Sequence, residues 1–207
     1  MAIDRTTALV GGAALATLVL ASVLVIKPWQ SNAFAACGDS VVSGAASIGG
    51  PFTLTDETGR QVTDADVLTG PSLVYFGYTF CPDVCPLDVA RNAEATQLLD
   101  DRGYTVTPVF ISLDPNRDTP ERLREWTDYM HPRLIGLTGT PEQLDKAAKE
   151  YRVSYQLPDD MTSADYTIAH TRLTYLMLPG HGFAEFYSGE DSAEKIADSV
   201  ACYIDAS

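Results

Sequence analysis

The sequence predicts an α/β domain built on a mixed β-sheet with flanking helices and an N-terminal β-hairpin, preceded by one transmembrane helix. Three observations lead there. Short apolar runs of strand length at 72–76 and 106–111 alternate with longer segments that open on helix-start signals. Two strand-like runs around a Pro-Gly-His-Gly turn at 179–182 form a closing hairpin, which adds antiparallel strands to the sheet. An uncharged stretch at 6–26 stands apart from all that follows.

That stretch, TTALVGGAALATLVLASVLVI, has 21 residues. At the helical rise it is about 31 Å long, enough to cross a hydrocarbon core. Arg5 and Lys27 bracket it, and Trp29 follows where an interfacial aromatic is expected. A cleaved signal with a small-x-small site at Ala33-Phe34-Ala35 is the alternative, but the apolar run is longer than the usual signal core. The expected organisation is therefore an anchor at 1–27, a Ser/Ala/Gly-rich linker at 28–48 and a folded domain at 49–207. With only a short flank before the anchor, the domain is expected on the periplasmic or equivalent outer side, where disulfides are permitted.

Within the domain, 52–55 and 60–62 flank an Asp-Glu-Thr-Gly turn as a hairpin. The run 72–76 reads as a buried central strand and leads through a loop into a helix over about 86–100, with Leu87, Ala90, Ala93, Leu98 and Leu99 as its apolar stripe. After the second buried strand, Thr119-Pro120-Glu121 and Thr140-Pro141-Glu142 each open a helix: a hydroxyl cap, a proline at the first position and an acid in the first turn. A short strand at 134–137 lies between them. Strands at 173–178 and 183–187 and a helix over about 192–204 complete an order compatible with a thioredoxin-like fold.

A net charge of −14 argues against nucleic acid as a partner, since such binding needs basic patches to neutralise phosphates. It suits a soluble surface, cations or basic protein faces.

The chemistry concentrates in GYTFCPDVCP at 77–86, where a buried strand gives way to a helix. Pro82 keeps Cys81 in the loop, and Pro86 suits the first helical position, so Cys85 is expected just before the helix in its positive N-terminal field. A thiolate is both nucleophile and metal ligand, so the placement alone leaves redox and metal roles open. The C-x-x-x-C spacing is one residue longer than the C-x-x-C redox motif.

This run resembles the metal-binding signature of the Sco/SenC family of copper proteins. FISLDPNRDT at 110–119 and YTIAHT at 166–171, followed by Tyr175-Leu-Met and Pro179, are similar to the family's other two recognisable stretches, in the same order. The resemblance implies a membrane-tethered thioredoxin-like domain that binds one copper, as Cu(I) or Cu(II), through Cys81, Cys85 and His170. It also implies delivery to the copper-receiving subunit of cytochrome c oxidase for its dinuclear copper centre. The chain departs from the family in having Ala169 where an Asp often precedes the metal His, which bears on how that His is oriented. Two soft thiolates and an imidazole suit either oxidation state of copper; zinc with a fourth ligand of water remains an alternative.

A thiol–disulfide oxidoreductase is the competing function, and a copper or redox sensor a third. Oxidoreductases of this fold place a proline before the strand facing the dithiol, whereas 162–178 contains none and carries His170. Cys37 in the linker and Cys202 in the last helix read as a disulfide pair, with free thiols as the alternative. His131 and His181 read as exposed turn residues, and Asp83, Asp114 and Asp118 as either turn and cap residues or an acidic surround of the site.

Overall fold

The computed structural model of the chain describes residues 34–38 and 48–207. The expected anchor at 6–26 and most of the linker lie outside the described residues, and no helix among the described residues is long and apolar enough to cross a membrane.

A hairpin opens the domain. β1 (Thr53–Asp56) pairs antiparallel with β2 (Gln61–Thr63). Asp56 builds the turn by accepting from the N–H groups of Thr58 and Arg60 at 2.9 and 3.0 Å, and Gly59 takes the positive φ of 83° that a side chain disfavours. After a one-turn helix α1 (Asp64–Val67), β3 (Ser72–Gly77) is buried at all six positions. α2 (Val84–Asp101) carries the chain to β4 (Thr107–Ser112), and α3 (Pro120–Met130) to β5 (Ile135–Thr138). Both of these crossovers join parallel neighbours, β3 with β4 and β4 with β5, as strand–helix–strand units do.

α4 (Pro141–Glu150) then leads to a separate two-stranded ribbon, β6 (Tyr155–Gln156) with β7 (Ala169–His170). β8 (Leu173–Leu178) and β9 (Gly182–Ser188) form the closing hairpin, and α5 (Ala193–Asp205) ends the chain. The main sheet has the order β2-β1-β5-β4-β3-β8-β9. β8 runs antiparallel to β3, so the sheet is mixed and thioredoxin-like, with helices on both faces.

Alternation along β3 divides the core. Val74 and Phe76 pack with Leu144 and Tyr151 on the α4 side. Leu73 packs with Leu99, Ile196 and Val200 on the side of α2 and α5, and Tyr75 packs with Cys85 and Val89 near the N-terminus of α2. Each fully buried Leu or Phe among these contributes about 2 kcal/mol.

Two elements differ from expectation. α2 starts at Val84, two residues before Pro86, so Cys85 stands inside the first turn. Pro86 is tolerated there because the first four N–H groups of a helix have no intrahelical acceptor. The buried face of α2 is Cys85, Asp88, Val89, Asn92, Ala95, Thr96 and Leu99, while Leu87 of the expected stripe is 64% exposed. Three polar residues occupy that face, and their hydrogen bonds make them buriable. Asp88 accepts from the Tyr75 hydroxyl at 2.9 Å, Asn92 donates to Thr174 at 2.9 Å and the Thr96 hydroxyl donates to the Asn92 carbonyl at 2.8 Å.

Candidate metal centre

Cys81 and Cys85 lie at the C-terminal end of β3, where the loop 78–83 turns into α2. The helix lacks a side-chain cap from Asp83; instead the Cys85 N–H donates to the Cys81 sulfur at 3.3 Å. The sulfur thus occupies the place a hydroxyl or carboxylate fills at an ordinary helix start. Burial pushes the Cys81 thiol up, but donation by the Asp83 and Cys85 N–H groups, the Cys85 thiol and the Val84 N–H outweighs it, and its pKa falls below the ordinary thiol value. Cys85 is fully buried, and burial, reinforced by the bond it gives to Cys81, raises its thiol far above that value. Cys81 is therefore the more acidic thiol of the two, and Cys85 is held neutral.

Glycine at the end of β3 makes room for this pair. A Cβ on Gly77 would stand 3.0 Å from the Cys85 sulfur, 2.9 Å from the Tyr75 ring and 3.1 Å from the Phe110 ring. Any side chain at 77 would displace the sulfur or the rings that pack it.

His170 arrives from the ribbon. β6 holds it in register opposite Tyr155, and the Thr171 N–H donates to the Ser154 carbonyl at 2.8 Å. Its Nδ1 lies 2.9 Å from the Thr171 carbonyl, which can only accept, so Nδ1 carries the proton and Nε2 is the free lone pair. Nε2 points at the Cys85 sulfur, 3.3 Å away. Burial lowers the His170 pKa, which keeps the ring neutral. The rings of Tyr75 and Tyr78 stand edge-on to it at 6.1 and 6.0 Å.

The structure thus puts His170 in contact with Cys85, and the Cys81 sulfur against the Cys85 N–H. Among the described residues no set of three His, Cys, Asp or Glu side chains yet converges on one point as a metal cage would, because the Cys81 sulfur faces the helix N-terminus. The donor set itself, two sulfurs and a neutral imidazole, fits a soft or borderline metal.

The acidic residues fall into separate roles. Asp83 is exposed, so it lines no buried part of the site. Asp118 is fully buried and accepts from the Thr79 N–H at 2.9 Å, the Thr79 hydroxyl at 2.6 Å and the Ser112 hydroxyl at 2.5 Å, fastening the cysteine loop to β4. Asp114, also buried, accepts from the Tyr166 hydroxyl at 2.5 Å and from Arg117 Nε at 2.6 Å. His181 is exposed in the β8–β9 turn, packed edge-on against Phe34, and His131 is half-buried, accepting from the Arg133 N–H. The contacts of both rings run to groups outside the cysteine loop.

Sequence reasoning missed Tyr75, Tyr78, Asp88 and Arg117. Asp88 accepts from Tyr75 and Arg91 and, at 3.4 Å, from Arg172, two residues beyond His170. For Tyr75 and Asp88 a signal existed, a polar group on an otherwise apolar strand or helix face, but what each bonds depends on distant segments.

Cys37 and Cys202 form a disulfide, and Cys81 and Cys85 are the free cysteines among the described residues. Residues 34–38 of the expected linker are therefore fastened to α5, where Ser199 also donates to the Cys37 carbonyl at 2.8 Å.

A family described as SCO1/SenC matches residues 41–205. SenC from Rhodobacter capsulatus is 51% identical over 204 residues, covering 98% of this chain and 92% of that one. The crystal structure of Arabidopsis thaliana ScoI with copper bound superposes with a TM-score of 0.72 at 38% identity, covering 76% of this chain and 99% of that one. Yeast Sco1 with copper bound gives 0.74 at 33% identity, covering 78% and 90%. The mitochondrial relatives from Arabidopsis and human are longer, and the chain spans 47% and 54% of their length.

Proposed function

The chain belongs to the SCO1/SenC family, and we propose that it is a membrane-tethered copper chaperone. In this reading Cys81, Cys85 and His170 hold one copper ion, and the protein delivers it to the dinuclear copper centre of cytochrome c oxidase. The observation that carries it is the free Nε2 of His170 directed at the Cys85 sulfur beside a second, thiolate-prone cysteine. The copper held by the Arabidopsis and yeast relatives supports the choice of metal. Binding turns the Cys81 sulfur from helix cap to ligand. Two thiolates suffice for Cu(I), and the imidazole adds the nitrogen that favours Cu(II). Three protein ligands leave a position open, through which a receiving protein exchanges ligands. The domain division stays as an anchor at 1–27, a linker at 28–48 and a copper-binding domain at 49–207, with the domain on the periplasmic or equivalent outer side.

The experiment is a copper titration of the reduced full-length chain in detergent, wild type beside His170→Ala and Cys85→Ser. One equivalent of copper on the wild type, with Cu(II) affinity lowered at least about 100-fold by either substitution, supports the reading, since even groups that merely orient a ligand change affinity by about 10–100-fold. No stoichiometric binding, or binding indifferent to both substitutions, defeats it.

The unequal thiols favour a second reading, in which the pair reduces the target's cysteines before loading: Cys81 attacks a target disulfide and Cys85 resolves the mixed disulfide. Stoichiometric reduction of a disulfide-bonded target peptide by the reduced, metal-free protein, which itself ends as a Cys81–Cys85 disulfide, is its signature, and it is lost in Cys81→Ser.

A further inference from the structure

His170 is held from one side by the ribbon β6–β7. On its other side the chain from 157 to 168 has no helix or strand of its own. Tyr166 and Ile168 of this stretch are buried in the core beside the cysteine loop, and Arg117, in the turn after β4, bonds the backbone before them. One terminal nitrogen donates to the Ala164 carbonyl at 2.8 Å and the other to the Tyr166 carbonyl at 2.9 Å. Nε donates to Asp114, whose other oxygen accepts from the Tyr166 hydroxyl. The guanidinium lies 3.4 Å above the Tyr166 ring and 4.8 and 5.7 Å from the rings of Phe80 and Tyr78, both in the cysteine loop. Its side chain is only 12% exposed.

We propose that Arg117 is a positioning residue for His170: it clamps the segment 164–166 against the cysteine loop and thereby keeps the imidazole within ligating reach of Cys85. This deepens, and rests on, the reading of Cys81, Cys85 and His170 as a copper site. The role needs a planar fork that donates in two directions while stacking on an aromatic face, and a lysine ammonium offers neither. The consequence is selective. Cys81 and Cys85 belong to the loop and helix after β3, which Asp118 also pins through the Thr79 N–H and hydroxyl. Loosening Arg117 therefore affects the nitrogen ligand and spares the sulfur pair, so Cu(II) binding falls while Cu(I) binding persists.

The test uses the full-length chain in detergent with Arg117→Lys and Arg117→Gln, each alone and combined with His170→Ala. Expected are Cu(I) affinity within about threefold of wild type and Cu(II) affinity lowered about tenfold or more, with an altered Cu(II) paramagnetic spectrum. Combined with His170→Ala, the substitutions are expected to lower Cu(II) affinity no further, because both act through one ligand. Amide exchange of the metal-free variants provides a readout independent of copper: residues 164–170 exchange at least about tenfold faster while β3 and β4 keep their protection. Equal loss of both copper affinities, an effect that persists undiminished without His170, global loss of protection in both variants, or unchanged exchange at 164–170 overturns the proposal. Wild-type protein that takes up no copper defeats the copper reading instead, and the exchange measurement still decides the role of Arg117.

Discussion

The Nε2 atom of His170 lies 3.3 Å from the sulfur of Cys85, a contact between residues 85 positions apart. It joins the first turn of α2 to a two-residue strand outside the main sheet. The candidate centre thus joins the strand-to-helix turn of the main sheet, which carries the sulfurs, to an appended ribbon, which carries the nitrogen.

Thiol reactivity should divide the pair. Cys81, whose sulfur is stabilised as a thiolate at the helix start, is expected to alkylate with iodoacetamide at least about ten times faster than buried Cys85 at neutral pH. Its rate should level off at a lower pH than that of Cys85, whose rate keeps rising because burial holds its thiol far up. Mass spectrometry of the singly modified protein reads the order, and modification of Cys85 first would contradict the assignment of the cap.

Gly77→Ala should injure the candidate centre while leaving Cys81, Cys85 and His170 unsubstituted. Its Cβ would meet the Cys85 sulfur and two aromatic rings at about 3 Å. The expected cost is about 1–3 kcal/mol in urea unfolding, accompanied by weakened copper binding. A variant of wild-type stability and affinity would show that the packing there has slack.

The Cys37–Cys202 disulfide closes a span of 165 residues, so its removal by Cys202→Ser should cost about 2–5 kcal/mol and lower the thermal midpoint by on the order of 10 °C. Reductant should lower the wild type to the variant's midpoint and leave the variant unmoved. Equal midpoints with and without the bond would mean that the fastened strap adds nothing to stability.

Acid should weaken the first hairpin through Asp56. Burial alone would raise its carboxyl, but bonds from the Thr58 hydroxyl and from the Arg60 and Thr58 N–H groups prevail and lower it to about 2. With the folded pKa below the unfolded value of about 3.9, this stabilisation is complete above about pH 4 and lost as pH falls through about 2. Because Arg60 is 75% exposed, solvent screening limits the contribution to about 1 kcal/mol. Comparing unfolding of wild type and Asp56→Asn from about pH 5 to about pH 2 tests it: the stability gap should narrow toward acid, and a constant gap would refute it.

Strands β3, β4, β8 and β9 and helices α3 and α4 were legible because each rests on local physics. A continuous apolar run reads as a buried strand, and Thr-Pro-Glu reads as a capped helix start; Thr119 and Thr140 do cap α3 and α4. The three candidate ligands were legible for a different reason: their types and spacing carry a family resemblance. The start of α2 was not, because its cap is a cysteine sulfur in place of the usual oxygen. Nor was its buried face, because the groups that satisfy Asp88 and Asn92 lie remote in the chain. Asp88 bonds Tyr75 on the sheet, and Asn92 bonds Thr174, 82 positions away.

By itself, then, the sequence determined which residues could do the chemistry: two cysteines at a strand-to-helix turn, one histidine within a proline-free stretch, and a distant pair of cysteines for a disulfide. Only the tertiary structure decided how they are poised. The protonated Nδ1 of His170, the split between the Cys81 and Cys85 thiols, and the grip of Arg117 on residues 164 and 166 all come from hydrogen bonds and burial. Those depend on which groups exclude water around a side chain, and at this centre the groups come from segments up to 85 residues apart.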